Sequence, residues 1–308
     1  MQHHVDTLVE KLLKDGDLVG LETRPARALI GWMPEREAEI VLGIPQASMK
    51  PLPEHAQRVR KARTAVASRP SGIDQTHVFS DVGEELRDYL AEFQQHPSGK
   101  QYLASGCAIS IANLSEVCAL QPIVHSDYLD HSPQVKKLIQ QAAQDDMLSL
   151  IKITLPIPMP VELPMRFDSQ RNAWILQSRN PDARIVGHFS ARVELAPGLF
   201  GMGYGFCIAH LPSFVQVVLY RGRYFLKDGY HRSLALLEKG ITRVPVLFRE
   251  ISGPQRLEVE GRFPDETLLG AHPPRLPDYL RDDVAAAGFN LASQKTITVQ
   301  SAENRSWG

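Results

Sequence analysis

The sequence predicts an α+β or α/β protein, a helical N-terminal portion followed by a mixed sheet. Helical periodicities prevail up to about residue 147, and proline-rich and strand-like runs follow from residue 148. A strand–turn–helix–strand segment then occupies residues 214–248. The chain is accordingly read as a mainly helical region, residues 1–147, and a strand-rich domain, residues 148–308. Its 308 residues suit one large domain or two of average size, and 43% apolar with 22% charged residues fits a globular chain.

The elements follow in order. Val5, Leu8, Val9, Leu12 and Leu13 share one helical face, and Gly16 is the stop. Pro25, Pro34, Pro45, Pro51 and Pro53 break residues 24–53 into short elements and turns. Residues 54–69 read as a basic helix on which Arg60 and Arg63 share a face. Val82, Leu86, Tyr89, Leu90 and Phe93 mark an amphipathic helix over 81–94, ended by His96-Pro97. Residues 108–120 mix strand and helix signals. A helix from Pro133 to about Ala143 follows, with Ser132 as its cap.

From Leu148 to Pro164 four prolines argue against helix. Strands are expected at 173–177, 184–189, 191–195 and 214–219. Gly198, Gly201, Gly203 and Gly205 do not follow the strand–GxGxxG–helix order and read as a flexible loop or bulged strand. The tail reads as an extended segment at 273–279 before a short helix, then a strand at 296–300.

Composition narrows the function classes. A net charge of −1 gives no global attraction to nucleic acid or membrane. Cys107, Cys118 and Cys207 are widely spaced, which points away from a zinc site or disulfide framework and toward a reducing cytoplasm. Asp6, Glu10 and Asp15 stand where a secretory leader would be apolar, and no run is long enough to span a bilayer. His125 and His131, with Asp127 and Asp130 between them, could bind metal by spacing but read as a polar loop.

The chemistry concentrates at Asp228-Gly229-Tyr230-His231-Arg232. Asp228 reads as an N-cap, Gly229 allows a tight turn, and the helix from Ser233 to Glu238 offers free N–H groups and a partial positive charge. Arg232 adds a charge-assisted donor, and His231 a group able to move a proton near neutrality.

Residues 214–248 resemble the strand–turn–helix–strand core of the ParB/sulfiredoxin superfamily, whose Asp-Gly-x-His-Arg-like turn precedes a short helix and a Val-Pro-Val strand, here Val244-Pro245-Val246. The resemblance implies a ParB/sulfiredoxin-like sheet core and a nucleotide phosphate as ligand. It implies phosphate contacts at Gly229, Tyr230, His231 and Arg232, with Asp228 and His231 as candidate catalytic residues. Tyr230 stands where sulfiredoxins carry their catalytic cysteine, which sets that chemistry aside. No helix-turn-helix pattern like that of partition proteins follows residue 250, and Glu162 and Glu194 are further carboxylates by location only.

Three function classes follow. The first is a nucleotide- or phosphate-binding protein, with hydrolysis or phosphoryl transfer as its chemistry. The second is a nucleic-acid-processing hydrolase in which Arg58, Arg60, Lys61 and Arg63 add positive charge. The third is a non-catalytic binding protein whose turn is structural. The residues name no cofactor, although Asp228 leaves room for a divalent metal such as Mg²⁺, and they do not set an oligomeric state.

Overall fold

The computed structural model describes residues 23–43, 52–72, 75, 77–157, 165–178, 183–210, 213–253, 257, 261–291 and 295–300. The helix read at residues 5–14 lies outside them. Helices and mixed sheets combine into an α+β fold. No helix among the described residues is long and apolar enough to cross a membrane. The chain divides into two compact units, one built from residues 1–156 and 213–292, the other from 157–212 and 293–308.

The first unit opens with β1 (Thr23–Ala28), α1 (Glu35–Gly43) and α2 (Pro53–Ala67). Then come β2 (Phe79–Ser80), α3 (Arg87–Gln95), α4 (Pro97–Ala104) and β3 (Ala108–Asn113). Helix α3 ends at His96-Pro97, as the sequence indicates, and a further helix, α4, starts at once, with Pro97 in the first turn, where its missing N–H is no loss. Next are β4 (Cys118–Ala119), β5 (Ile123–His125), α5 (Pro133–Gln141) and α6 (Met147–Thr154).

Helix α6 corrects the expectation that residues from Leu148 onward avoid helix. Asp146 caps it by accepting the Ser149 N–H at 3.0 Å, and the prolines begin only at Pro156, after the last turn. Proline ends this helix rather than preventing it.

The second unit contains β6 (Arg166–Asp168), β7 (Ala173–Ser178), β8 (Ala183–Ala196) and β9 (Leu199–His210). The chain then returns to the first unit for β10 (Gln216–Tyr220), β11 (Arg223–Asp228), α7 (Tyr230–Glu238), β12 (Arg243–Ile251), α8 (Asp265–Leu268) and β13 (Ala286–Leu291). A 3₁₀ helix spans Leu276–Leu280, so the stretch expected to be extended over 273–279 is helical from Leu276 onward, with Pro277 in the first turn where its missing N–H is no loss. Strand β14 (Lys295–Gln300) completes the second unit in the order β14-β7-β6.

The central sheet of the first unit has the order β2-β3-β12-β10-β11-β4. Strands β10 and β11 form an antiparallel hairpin across Arg221-Gly222, both with positive φ (49° and 77°), as a two-residue turn matching strand twist requires. Helix α7 then carries the chain over to β12, which lies parallel to β10 with Gln216 opposite Leu247. On the far side β11 runs parallel to β4, with Phe225 opposite Cys118. Val217, Val218, Val244, Val246 and Phe225 are buried, and Leu234 and Leu236 bring α7 onto the same core. The turn before α7 is therefore positioned by a sheet. A separate sheet, β13-β1-β5, brings Arg24 and His125 into the same unit.

Candidate functional site

Helix α7 starts at Tyr230, three residues before the start read from the sequence, and its N-cap is Gly229 rather than Asp228. Gly229 adopts φ 89° and ψ 22°, the left-handed region that a side chain disfavours. A Cβ there would lie 2.7 Å from Cγ2 and 2.8 Å from Cα of Val215. Asp228 turns back on the turn itself, its Oδ1 accepting the Gly229 N–H at 2.7 Å.

Tyr230 and Arg232, read from the sequence as phosphate contacts, point inward. The Tyr230 hydroxyl accepts the N–H groups of Leu120 (2.6 Å) and Gln121 (3.3 Å) and donates to the Leu226 carbonyl (2.8 Å). Full burial pushes its phenol well above the ordinary range, so it remains a neutral clamp between β11 and the segment after β4. Arg232 is 6% exposed. Its Nη1 donates to the Ile153 carbonyl at 2.9 Å, and its Nη2 donates to the Ser213 carbonyl and, at 2.9 Å, to the Ser213 hydroxyl. The two outer nitrogens tie the end of α6 to the approach to β10.

His231 enters a polar cluster assembled from elsewhere in the chain. Arg24, on β1, holds Asp127 through Nε (3.1 and 3.0 Å) and Nη2 (2.7 Å). Burial pushes the Asp127 carboxyl up, but the hydrogen bonds and charge of Arg24 outweigh it, and the net displacement is downward. His125 is held below the ordinary imidazole range, first by burial and then by Arg24. Burial, reinforced by His125, Arg24 and Arg232, pushes His231 down to about 3. His231 is thus a neutral hydrogen-bonding group, and the expectation of proton transfer near neutrality does not fit it.

This cluster joins the Val124–His131 polar loop to the Asp228–Arg232 turn, two features that the sequence showed separately. Register is the missing information, since pairing of Ala26 with His125 is what brings β5 beside β1 and its Arg24. Among the described residues no three His, Cys, Asp or Glu side chains gather to hold a metal, so a metal role for Asp228 has no ligand cluster behind it.

The basic stretch forms α2, as read, but two of its arginines, Arg60 and Arg63, have protein partners. Arg60 and Arg63 lie 3.8 and 3.7 Å from the Glu35 carboxylate, and Arg63 also donates to the Met33 carbonyl at 2.7 Å. Arg58 and Lys61 are exposed. Arg60 lines a groove of about 570 Å³ together with Glu54, an acid that opposes a nucleic-acid phosphate there. No hydrogen bond or ion pair among the described residues links these four side chains to the turn. Glu162 lies outside the described residues, and Glu194 accepts the Gly198 N–H at 3.1 Å within the second unit. Cys107 and Cys118 are buried and Cys207 is exposed, all as free thiols; burial pushes Cys118 up to about 12.

No protein-family model, curated protein or solved structure matches this chain. What the site does must be read from its own residues.

The depressed imidazole has a measurable consequence. The unfolded chain protonates His231 near 6.5, the folded chain only near 3, so the unfolded state binds more protons between those values. Stability attributable to His231 is complete above pH 6.5 and falls as the pH drops through this window. At pH 4.5, two units below the unfolded value, the loss should reach about 2.7 kcal/mol. Urea midpoints at pH 7 and pH 4.5 should therefore separate more in the parent than in His231→Gln. Equal separations would show that His231 is not buried beside Arg24 and His125.

Proposed function

We propose that the protein binds a nucleotide or another phosphorylated ligand at the amino end of α7. The supporting observation is the convergence of His125, Asp127 and Arg24 on His231 at that helix start. The backbone N–H groups of the turn and the neutral imidazoles of His125 and His231 are the donors for phosphate oxygens. Arg24 is the nearby cation, oriented by Asp127. The reading accords with the ParB/sulfiredoxin resemblance of residues 214–248, but it removes Arg232 and Tyr230 from the ligand-contacting set. Phosphate hydrolysis or transfer is the activity class that follows, with Asp228 the carboxylate at the turn. A reducing cytoplasm suits three free cysteines.

A structural turn is the second reading, favoured by the bonds of Tyr230 and Arg232 to backbone carbonyls and N–H groups. Thermal shift with orthophosphate and a nucleotide panel separates the two. A ligand present at 100 times its Kd should stabilise the protein by about 2.7 kcal/mol. His125→Ala and His231→Ala should each weaken binding by roughly tenfold, the worth of one hydrogen bond to a charged oxygen. A parent protein that none of these ligands stabilises, or variants that bind as the parent does, would leave the turn structural. Binding of oligonucleotide alone, with steep dependence on salt, would instead assign the site to a nucleic-acid backbone.

A further inference from the structure

Most of the exposed large apolar side chains among the described residues lie on one hairpin, β8–β9 of the second unit. Strand alternation sorts them. Phe200, Met202, Tyr204 and Phe206 stand on one face of β9, opposite Glu194, Arg192, Ser190 and His188 of β8. Tyr204 is 80% exposed, and the other three are at least half exposed. The opposite face of β9 carries Gly201, Gly203 and Gly205, and β8 lays its own side chains over them. A Cβ on Gly205 would lie 2.5 Å from the Phe189 ring, and one on Gly203 2.9 Å from Val193. The glycine alternation that read as a flexible loop or bulged strand is therefore a hairpin strand, with register shifts between Ile185 and Gly187 and between Glu194 and Ala196. On the glycine face the β8 side chains occupy the space that β9 leaves, although Phe189 and Leu195 stay exposed there, and the other face carries the aromatic ridge.

We propose that this ridge is a self-association surface, covered by the same ridge of a second copy of this chain. Its charge excludes most other partners. Arg192 and Glu194 cancel, and the Arg192 guanidinium lies 4.1 Å from the Phe200 ring centroid, drawn onto the apolar surface. A nucleic-acid backbone would find no net positive charge here, and a charged protein no complement. A neutral apolar ridge is complementary to itself, as an isologous interface requires.

The area is sufficient. The four ridge side chains present on the order of 500 Å², and the exposed polar side chains beside them on β8, His188, Ser190, Arg192 and Glu194, extend the same face toward the roughly 800 Å² per partner of a standard interface. The unit also lacks internal support. Among its described residues the buried apolar side chains are Ala173, Ile175, Leu176 and Ile297, and a two-stranded ribbon is marginal in water without a packed face. A second copy supplies that face.

The test is sedimentation of the full chain over a range of concentrations, in reductant because Cys207 is exposed. The parent should be a concentration-dependent dimer. Phe200→Thr with Tyr204→Thr keeps strand propensity and removes the ridge, and should raise the dimer Kd on the order of 100-fold. Arg192→Glu leaves the apolar side chains in place but sets two carboxylates on each face, and should weaken the dimer most at low salt. Unchanged circular dichroism confirms that the variants fold. A parent that stays monomeric, variants that dimerise as it does, or a monomer that floats with phosphatidylcholine vesicles would overturn the proposal, the last by assigning the ridge to lipid.

Discussion

Arg232→Ala should destabilise the protein by about 3–5 kcal/mol, far more than a ligand-contacting arginine on an open helix end would. The side chain is 6% exposed and donates to the Ile153 carbonyl, the Ser213 carbonyl and the Ser213 hydroxyl. Ile153 lies in the last turn of α6, where carbonyls have no partner within the helix. Truncation strands these acceptors in a dry place at about 1–3 kcal/mol each and removes the packing of the arginine stem. Arg232→Lys is the informative companion. Lysine keeps the positive charge that a phosphate would need but lacks the planar fork that reaches α6 and Ser213 together. Chemical denaturation should show Arg232→Lys well below the parent. A lysine variant as stable as the parent, but weak for phosphate, would return Arg232 to the ligand-contacting set.

Arg232 also shows where the sequence stops being informative. The strand–turn–helix–strand order of residues 214–248 was legible because each part carries a local signal: alternating apolar runs, Asp-Gly, and a closing Lys-Gly. The orientation of each side chain was not, because its partners are distant in sequence. Arg232 meets Ile153, Tyr230 meets Leu120, and His231 feels Arg24 and His125. An Asp-Gly-x-His-Arg string looks the same whether its arginine faces a ligand or two carbonyls. The basic stretch is a parallel case. Its helix was readable from spacing, but the Glu35 carboxylate that meets Arg60 and Arg63 belongs to another helix. Helix α6 was missed for the opposite reason, since its local stop at Pro156 was legible and was weighed against the residues before it.

Gly229 sets the remaining constraint, because it decides whether the turn can move at all. A non-glycine residue at φ 89° meets a backbone penalty of about 1–2 kcal/mol. Gly222 carries the same kind of penalty, with φ 77°, but a Cβ there would meet nothing within 4 Å. At Gly229 the Cβ would overlap Val215 at both Cγ2 and Cα, and a backbone atom cannot turn aside as a side-chain end can. Val215 is further held by its N–H to the Thr154 carbonyl and by its carbonyl to the Leu247 N–H, each at 2.9 Å. Gly222→Ala should therefore lose about 1–2 kcal/mol, and Gly229→Ala about 3–5 kcal/mol, the difference measuring the close approach to β10. Denaturant midpoints of the two variants, read side by side, make the comparison. Equal losses would mean that Val215 yields and the turn is adjustable. Unequal losses would make the start of α7 a rigid fixture, whose N–H groups and His231 meet a phosphate, if one binds, without rearranging.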